Sequence, residues 1–264
     1  MTAMTPLQGK VAIVTGGSRE IGAAMAEALA GAGAAVVIAY HGAAEQAEAV
    51  VARIRLAGGQ AHAEQADLSS VVDNQRLVAR AVEVFGRLDI FVANAGITMW
   101  APFLEVDEET WDTVVDLNLK GSYFGAQAAA CQMVAQKEAA PSEPYGGRIV
   151  FSSSLTGVVA LPNSSAYAVT KAGLRHMAAV LGLELGQYGI TVNALGIGAT
   201  VNERNLRDDP EYEAHWAGVT PTGRCSQPKD VADALLYLVS PEASMINGQT
   251  LMIDGGWGMA GHAP

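Results

Sequence analysis

Residues 11–22 read Val11-Ala12-Ile13-Val14-Thr15-Gly16-Gly17-Ser18-Arg19-Glu20-Ile21-Gly22. Five residues of strand-forming character end in a glycine-rich turn, and the turn runs straight into an Ala-rich stretch over 21–32 with helical character. Glycines at such a turn let the backbone approach a pyrophosphate, and the helix start behind it supplies free N–H donors and a partial positive charge. The same pattern also serves as an ordinary strand-to-helix turn, so its neighbours decide what it means. Further strand-like runs follow at 35–39, 61–65, 89–93, 148–152, 191–195 and 250–253. Helical patterns lie between them at 43–57, 71–85, 107–134, 166–188 and 229–239. Asp107 with Thr110, and Asp230, stand where helix N-terminal caps belong. Seven strands separated by helices predict an α/β fold with a parallel, doubly wound sheet and helices on both faces.

Composition limits what such a fold can serve. Half of the 264 residues are hydrophobic, which excludes disorder, and the length suits one domain spanning 1–264. Sixteen Lys and Arg against 27 Asp and Glu give a net charge of −11, with no basic run. Nucleic acid and anionic membrane are therefore not expected partners. Cys131 and Cys225 are too few for a disulfide framework and are expected as small buried hydrophobes. With no apolar run near the ~18 residues that span a bilayer, a soluble cytoplasmic protein is expected. Two stretches read as loops, 136–147 and 201–224. The second is long enough to be functional and is expected to hold short helices that form a substrate lid around 199–224.

A second constellation is Tyr167-Ala168-Val169-Thr170-Lys171, whose spacing puts a phenol and an ammonium on one helix face. Of the seven tyrosines only Tyr167 has a Lys four positions on. A free phenol is a poor base near neutrality, and an adjacent cation is expected to favour the phenolate. Ser154 lies thirteen residues upstream, just past a strand, so its hydroxyl and the phenol can face the crevice where open α/β sheets bind ligands. His62 and His215 have no ligand spacing to Cys or acidic residues, and no metal site is expected.

Taken in order, these motifs resemble the NAD(P)-dependent short-chain dehydrogenase/reductase family over nearly the whole chain. The turn resembles the family's Thr-Gly-x-x-x-Gly-x-Gly, and Ala93-Asn94-Ala95-Gly96 resembles its Asn-Asn-Ala-Gly. Leu117-Asn118-Leu119 carries the helix asparagine, and Ala66-Asp67-Leu68 the adenine-contacting aspartate. The resemblance implies a Rossmann-type sheet and catalysis by Asn118, Ser154, Tyr167 and Lys171. It implies cofactor contacts from Gly16, Ser18, Arg19, Ile21, Gly22, Asp67, Leu68, Asn94, Ala95, Gly96, Tyr167, Lys171, Ile197 and Gly198. Some positions depart from the pattern. Glu20 replaces the second glycine and is tolerable if its φ is negative, with its carboxylate favoured by the helix dipole. Ala93 replaces an Asn, Ile197-Gly198 replaces Pro-Gly, and Asn202 stands at the usual Thr position.

As implied by the resemblance, Tyr167 exchanges a proton with the substrate oxygen while hydride passes to or from a nicotinamide. Ser154 holds that oxygen, Lys171 lowers the Tyr167 pKa, and Asn118 positions a water that links Lys171 to solvent. The second strand ends in Tyr40-His41, expected as cofactor contacts at the adenosine ribose, with no carboxylate for its 2′-OH; Arg19 resembles the basic residue of NADP-preferring members and His41 adds a donor for a 2′-phosphate, so NADP is favoured over NAD. The polar set around Asn202 and Arg204, with Trp100 and Trp216 as candidates to face substrate, suits a sugar or polyol; packing is the alternative role of the tryptophans. A 3-oxoacyl thioester or small ketone is the alternative substrate. A non-catalytic dinucleotide-sensing regulator is the alternative of another class. The tail Gly255-Gly256-Trp257-Gly258 resembles the segment that lies at subunit interfaces in the family's homotetramers, so a homo-oligomer, a tetramer, is expected.

Overall fold

A computed structural model describes residues 6–142 and 146–260. Seven strands form one sheet in the order β3-β2-β1-β4-β5-β6-β7, every neighbouring pair parallel. The strands are β1 (Val11–Thr15), β2 (Ala35–Tyr40), β3 (Gln60–Gln65), β4 (Ile90–Ala93), β5 (Gly147–Ser154), β6 (Ile190–Ile197) and β7 (Thr250–Ile253). Each expected strand is present within a residue or two. The winding reverses between β1 and β4, which leaves a crevice outside their carboxyl ends.

Alternation along each strand builds two cores. Ala12 and Val14 of β1, with Val36 and Ile38 of β2, face one cluster. The residues between them, Ile13, Val37 and Ala39, face the other. The first face is covered by α1 (Glu20–Gly31), α2 (Ala44–Leu56) and α9 (Pro228–Val239), and the second by α3 (Val71–Phe85), α5 (Ser122–Ala139) and α6 (Ser165–Leu185). Strands buried on both sides need apolar residues at every position, which is why the central ones read as continuous runs. Local chemistry sets the helix starts. Asp107 accepts from the Thr110 amide at 2.8 Å ahead of α4 (Glu108–Val115), and Gln227 and Asp230 form a reciprocal capping box at α9. The loop expected at 201–224 contains α7 (Glu203–Asp208) and α8 (Tyr212–Val219), and the chain closes with α10 (Trp257–Ala260).

Several expectations need correction. The single helix expected over 107–134 is α4 and α5 joined by a π-helical turn, Asp116–Gly121, and it runs on to Ala139. The wide turn carries one residue more than an α-helix needs and turns Asn118 fully into the interior. Gly121 sits in that turn because a Cβ there would collide with the Leu68 carbonyl. The loop expected at 136–147 therefore begins later, and its residues 143–145 lie outside the described part. Cys131, expected buried, is exposed on α5, whereas Cys225 is buried as expected.

Glu20 is the third correction, since its φ is +51° and not negative. This is left-handed backbone that favours glycine. Two residues on, Gly22 has no alternative at all, because an added Cβ would meet the Gly16 carbonyl oxygen and the Asn94 amide nitrogen. Gly22→Ala is expected to cost about 1–3 kcal/mol in urea unfolding. An unchanged midpoint and slope would show that the turn can relax.

Candidate active site

The residues singled out by sequence meet at the carboxyl ends of the strands, and hydrogen bonds hold those ends in register. Thr15 Oγ1 accepts from the amides of Asn94 (2.8 Å) and Ala95 (2.9 Å) and donates to the Val92 carbonyl (3.1 Å). Asn94 Nδ2 donates back to the Thr15 carbonyl at 3.0 Å, and Ser152 Oγ donates to Asn94 Oδ1 at 3.1 Å. The ends of β1, β4 and β5 are thereby tied together.

From β5 and α6 come the titratable groups. Lys171 is buried, and its Nζ donates to the Ser152 carbonyl at 2.7 Å. Ser153 Oγ donates to the Lys171 carbonyl at 2.7 Å, fixing α6 against β5. Burial pushes the Lys171 ammonium down to about 8. Tyr167 lies one turn earlier, its ring centroid 5.5 Å from Lys171 Nζ, and it shares the lining of one cavity with Ser154 and Thr98. Its pKa is raised, contrary to the expectation that Lys171 lowers it. Burial is the largest cause and disfavours the phenolate; the side chains of Ser154 and Thr98 and the charge of Arg204 act against it. The helical spacing foretold proximity correctly, but it carried no information about desolvation.

Asn118 grips the segment after β4. Its Oδ1 accepts from the Ile97 amide and its Nδ2 donates to the Ile97 carbonyl, both at 2.8 Å, so the side chain shapes the segment after β4. A Cβ on Gly96 would lie 3.0 Å from Asn118 Oδ1 and 3.5 Å from Lys171 Nζ; the bare glycine keeps this space open.

Two adjoining cavities occupy the crevice. One of about 1540 Å³ runs from the glycine-rich turn past Tyr40, His41, Asp67 and Leu68. The other, about 920 Å³, is lined by Ser154, Tyr167, Lys171, Ile197, Gly198 and the α7–α8 segment. They meet at Glu20, Asn94, Gly96 and Thr98. Ser18, Arg19, Ile21 and Ala95 also line the larger one. Its volume exceeds the usual ~300–1,000 Å³ of a small-ligand pocket and suits an extended ligand. The Asp67 carboxylate is already engaged by the Ser69 amide and hydroxyl.

A family model described as enoyl-(acyl carrier protein) reductase matches residues 16–258. The chain belongs to the short-chain dehydrogenase/reductase family. It is 37% identical to an L-rhamnose-1-dehydrogenase of Scheffersomyces stipitis, covering 95% of this chain and 96% of that one. It is 37% identical to a 3-oxoacyl-[acyl-carrier-protein] reductase of Synechocystis, covering 96% and 98%. A solved short chain dehydrogenase from Burkholderia cenocepacia in complex with NADP is 38% identical, with a TM-score of 0.87 and coverage of 96% and 99%. As a short-chain dehydrogenase/reductase the protein is an oxidoreductase acting on an alcohol or carbonyl group.

Other candidates from the sequence are less free than their polarity suggested. Asn202 caps α7, accepting from the Asn205 amide at 2.8 Å, and its Nδ2 points to the Thr200 carbonyl at 3.3 Å. Trp216 lines the smaller cavity but stacks edge-on against Trp257 at 5.4 Å between ring centroids, while Trp100 is half exposed. Sequence reasoning missed Thr15 and Thr98 as site residues. A Thr closing an apolar strand was the available signal for Thr15; nothing local marks Thr98.

The Lys171 shift has a signed consequence. Between about pH 8 and 10.5 an unfolded lysine binds a proton that native Lys171 does not, so this group makes unfolding free energy rise with pH across that window. Denaturant titrations of the wild type minus Lys171→Met should show that rise. A flat difference would mean that the ammonium is solvated.

Proposed function

We propose that this short-chain dehydrogenase/reductase interconverts the alcohol and carbonyl forms of a sugar or polyol, with NADP preferred to NAD. The reading is carried by the placement of Ser154, Tyr167 and Lys171 where a cleft long enough for a dinucleotide opens into a smaller polar chamber. The glycine-rich turn fits a pyrophosphate: Gly16 has φ +63°, and the bare Gly22 lets the start of α1 close onto the Gly16 carbonyl and Asn94. Gly16, Ser18, Ile21, Gly22 and the Asn94–Gly96 segment would hold the cofactor's middle, with Leu68 and Asp67 toward its adenine. When bound, the nicotinamide supplies the hydride acceptor or donor.

The chain's own groups do the proton work. Ser154 and Thr98 line the chamber with Tyr167 and give the phenol two hydroxyl-bearing neighbours. A substrate alcohol entering there would bond Ser154 and hand its proton to the Tyr167 phenolate in oxidation; in reduction the Tyr167 phenol would give its proton to the carbonyl oxygen. Lys171, anchored on the Ser152 carbonyl, supplies the nearby positive charge, and Asn118 acts through the Ile97 backbone it grips. The stretch around 199–224 acts as the substrate lid of a single domain.

NADP preference is supported by Arg19 and His41, both exposed on the larger cavity where β2 ends without a carboxylate. The sugar reading is supported by the similarity to an L-rhamnose-1-dehydrogenase and by Arg204 in the smaller chamber. The similarity to a 3-oxoacyl-[acyl-carrier-protein] reductase favours a 3-oxoacyl thioester or small ketone as the second reading. Phe103, Leu104, Trp111 and Tyr123, all exposed near α4 and α5, support a homo-oligomer. Among the described residues no helix is long and apolar enough to cross a membrane.

NADPH and NADH oxidation across aldoses, polyols, 3-oxoacyl thioesters and small ketones tests the assignment. Tyr167→Phe should lower kcat by at least ~10²-fold, leaving NADPH binding by fluorescence within about twofold. Near-wild-type turnover would remove Tyr167 from the mechanism, and binding without any turnover would favour a cofactor-sensing regulator. Arg19→Ala should lower kcat/KM with NADP about tenfold and leave the NAD value unchanged. Equal effects on both cofactors would reject the NADP preference.

A further inference from the structure

The first two residues of α7 are tied to opposite walls of the cleft. The Glu203 amide donates to Glu20 Oε1 at 3.1 Å, on the glycine-rich turn. Arg204 Nη1 donates to the Thr98 carbonyl at 3.4 Å, on the segment after β4. Glu20 and Thr98 both lie where the two cavities meet. Glu20 keeps a side chain in left-handed backbone, which only Asn163 also does among the described non-glycine residues. That carboxylate reaches outward to α7, a role its expected place in the helix dipole would not provide. Thr98, Tyr167 and Arg204 all line the smaller cavity, so Arg204 is fastened to a residue of the wall that the phenol shares.

We propose that Glu20 and Thr98 latch the start of α7 across the cleft, and that Arg204, so held, is a positioning residue stabilising charge on the Tyr167 oxygen. The second half rests on the role proposed above for Tyr167. The groups around that phenol come from several elements: Ser154 from the end of β5, Thr98 from the segment after β4, Lys171 from α6 itself, 5.5 Å from the ring centroid, and Arg204 from α7. Lys171 is committed to the Ser152 carbonyl, while among the described residues the guanidinium of Arg204 is engaged by the Thr98 carbonyl and a 3.5 Å pair with Asp208. Arg204 opposes the burial that keeps the phenol protonated. Glu20 is the acid on the facing wall; bonding the Glu203 amide ties its charge to the backbone, one residue from that guanidinium.

Amide hydrogen exchange of the cofactor-free protein tests the latch without any turnover. Glu20→Gly should accelerate exchange at 203–208 about fivefold or more, and glycine suits φ +51°, so the variant folds. Glu20→Gln keeps an acceptor oxygen and should stay within about twofold of wild type. Unchanged exchange in Glu20→Gly would overturn the latch. For Arg204, the ascending limb of the kcat–pH profile for alcohol oxidation should move up by about half a pH unit or more in Arg204→Gln and return toward wild type in Arg204→Lys. A profile that stays put while kcat falls would make Arg204 merely structural. Should no substrate turn over, the function fails separately. The Tyr167 ionisation, followed as the ultraviolet difference between each protein and its Tyr167→Phe partner, then decides: it moves up in Arg204→Gln or the positioning role is wrong.

Discussion

The Thr15 hydroxyl is the point on which the architecture turns. It sits where the winding of the sheet reverses, and there the β1 and β4 chains must separate to go to opposite faces. Separation leaves amides at the strand ends without ladder partners, and burying unpaired amides is costly. Thr15 takes two of them, Asn94 bonds back to β1, and Ser152 ties Asn94 to β5. The crevice can therefore open at this point without loosening the sheet beneath it. Ala93, which replaces an Asn in the family's pattern, is buried in the core one step below the knot and takes no part in it.

Burial governs the chemistry of the chamber as strongly as proximity does. It raises Tyr167 and lowers Lys171, so both groups are driven toward their neutral forms. A phenol and an amine at helical spacing look from sequence like a ready ion pair. In the folded chain the ammonium is bonded to a main-chain carbonyl, and the phenol shares its chamber with the alcohols of Ser154 and Thr98. Charge on the phenol oxygen must therefore be supported by whatever else the chamber brings close, and α7 brings a guanidinium.

What the sequence discloses and what it withholds follow one line of division. Strand positions were readable because residues buried on both faces must be apolar, and Tyr167 and Lys171 because 3.6 residues per turn place them together. Caps at Asp107 and Asp230 were readable because short polar side chains serve helix starts. The π-helical turn was not, since Leu117-Asn118-Leu119-Lys120 has ordinary helical composition and the close approach of Gly121 to the Leu68 carbonyl is a contact between distant segments. The positive φ of Glu20 and the reach of Thr98 depend on partners more than sixty residues away, which no local pattern encodes. Polarity in the 199–224 stretch misled in the other direction: Asn202 spends its amide on capping its own helix.

The extra residue in the Asp116–Gly121 turn sets a phase relation between two helices that share one axis. Val114 on α4 and Ala126, Ala129 and Met133 on α5 all face the interior, and they do so only because the wide turn offsets one helix from the other. Deleting a single residue would restore unbroken α-helical geometry and rotate everything beyond by about 100°. Asn118 would swing from the interior, and an alanine stripe made for the sheet would be turned toward water. This short irregularity thus acts as a frame marker in the chain: the phase of everything after it depends on the number of residues it holds.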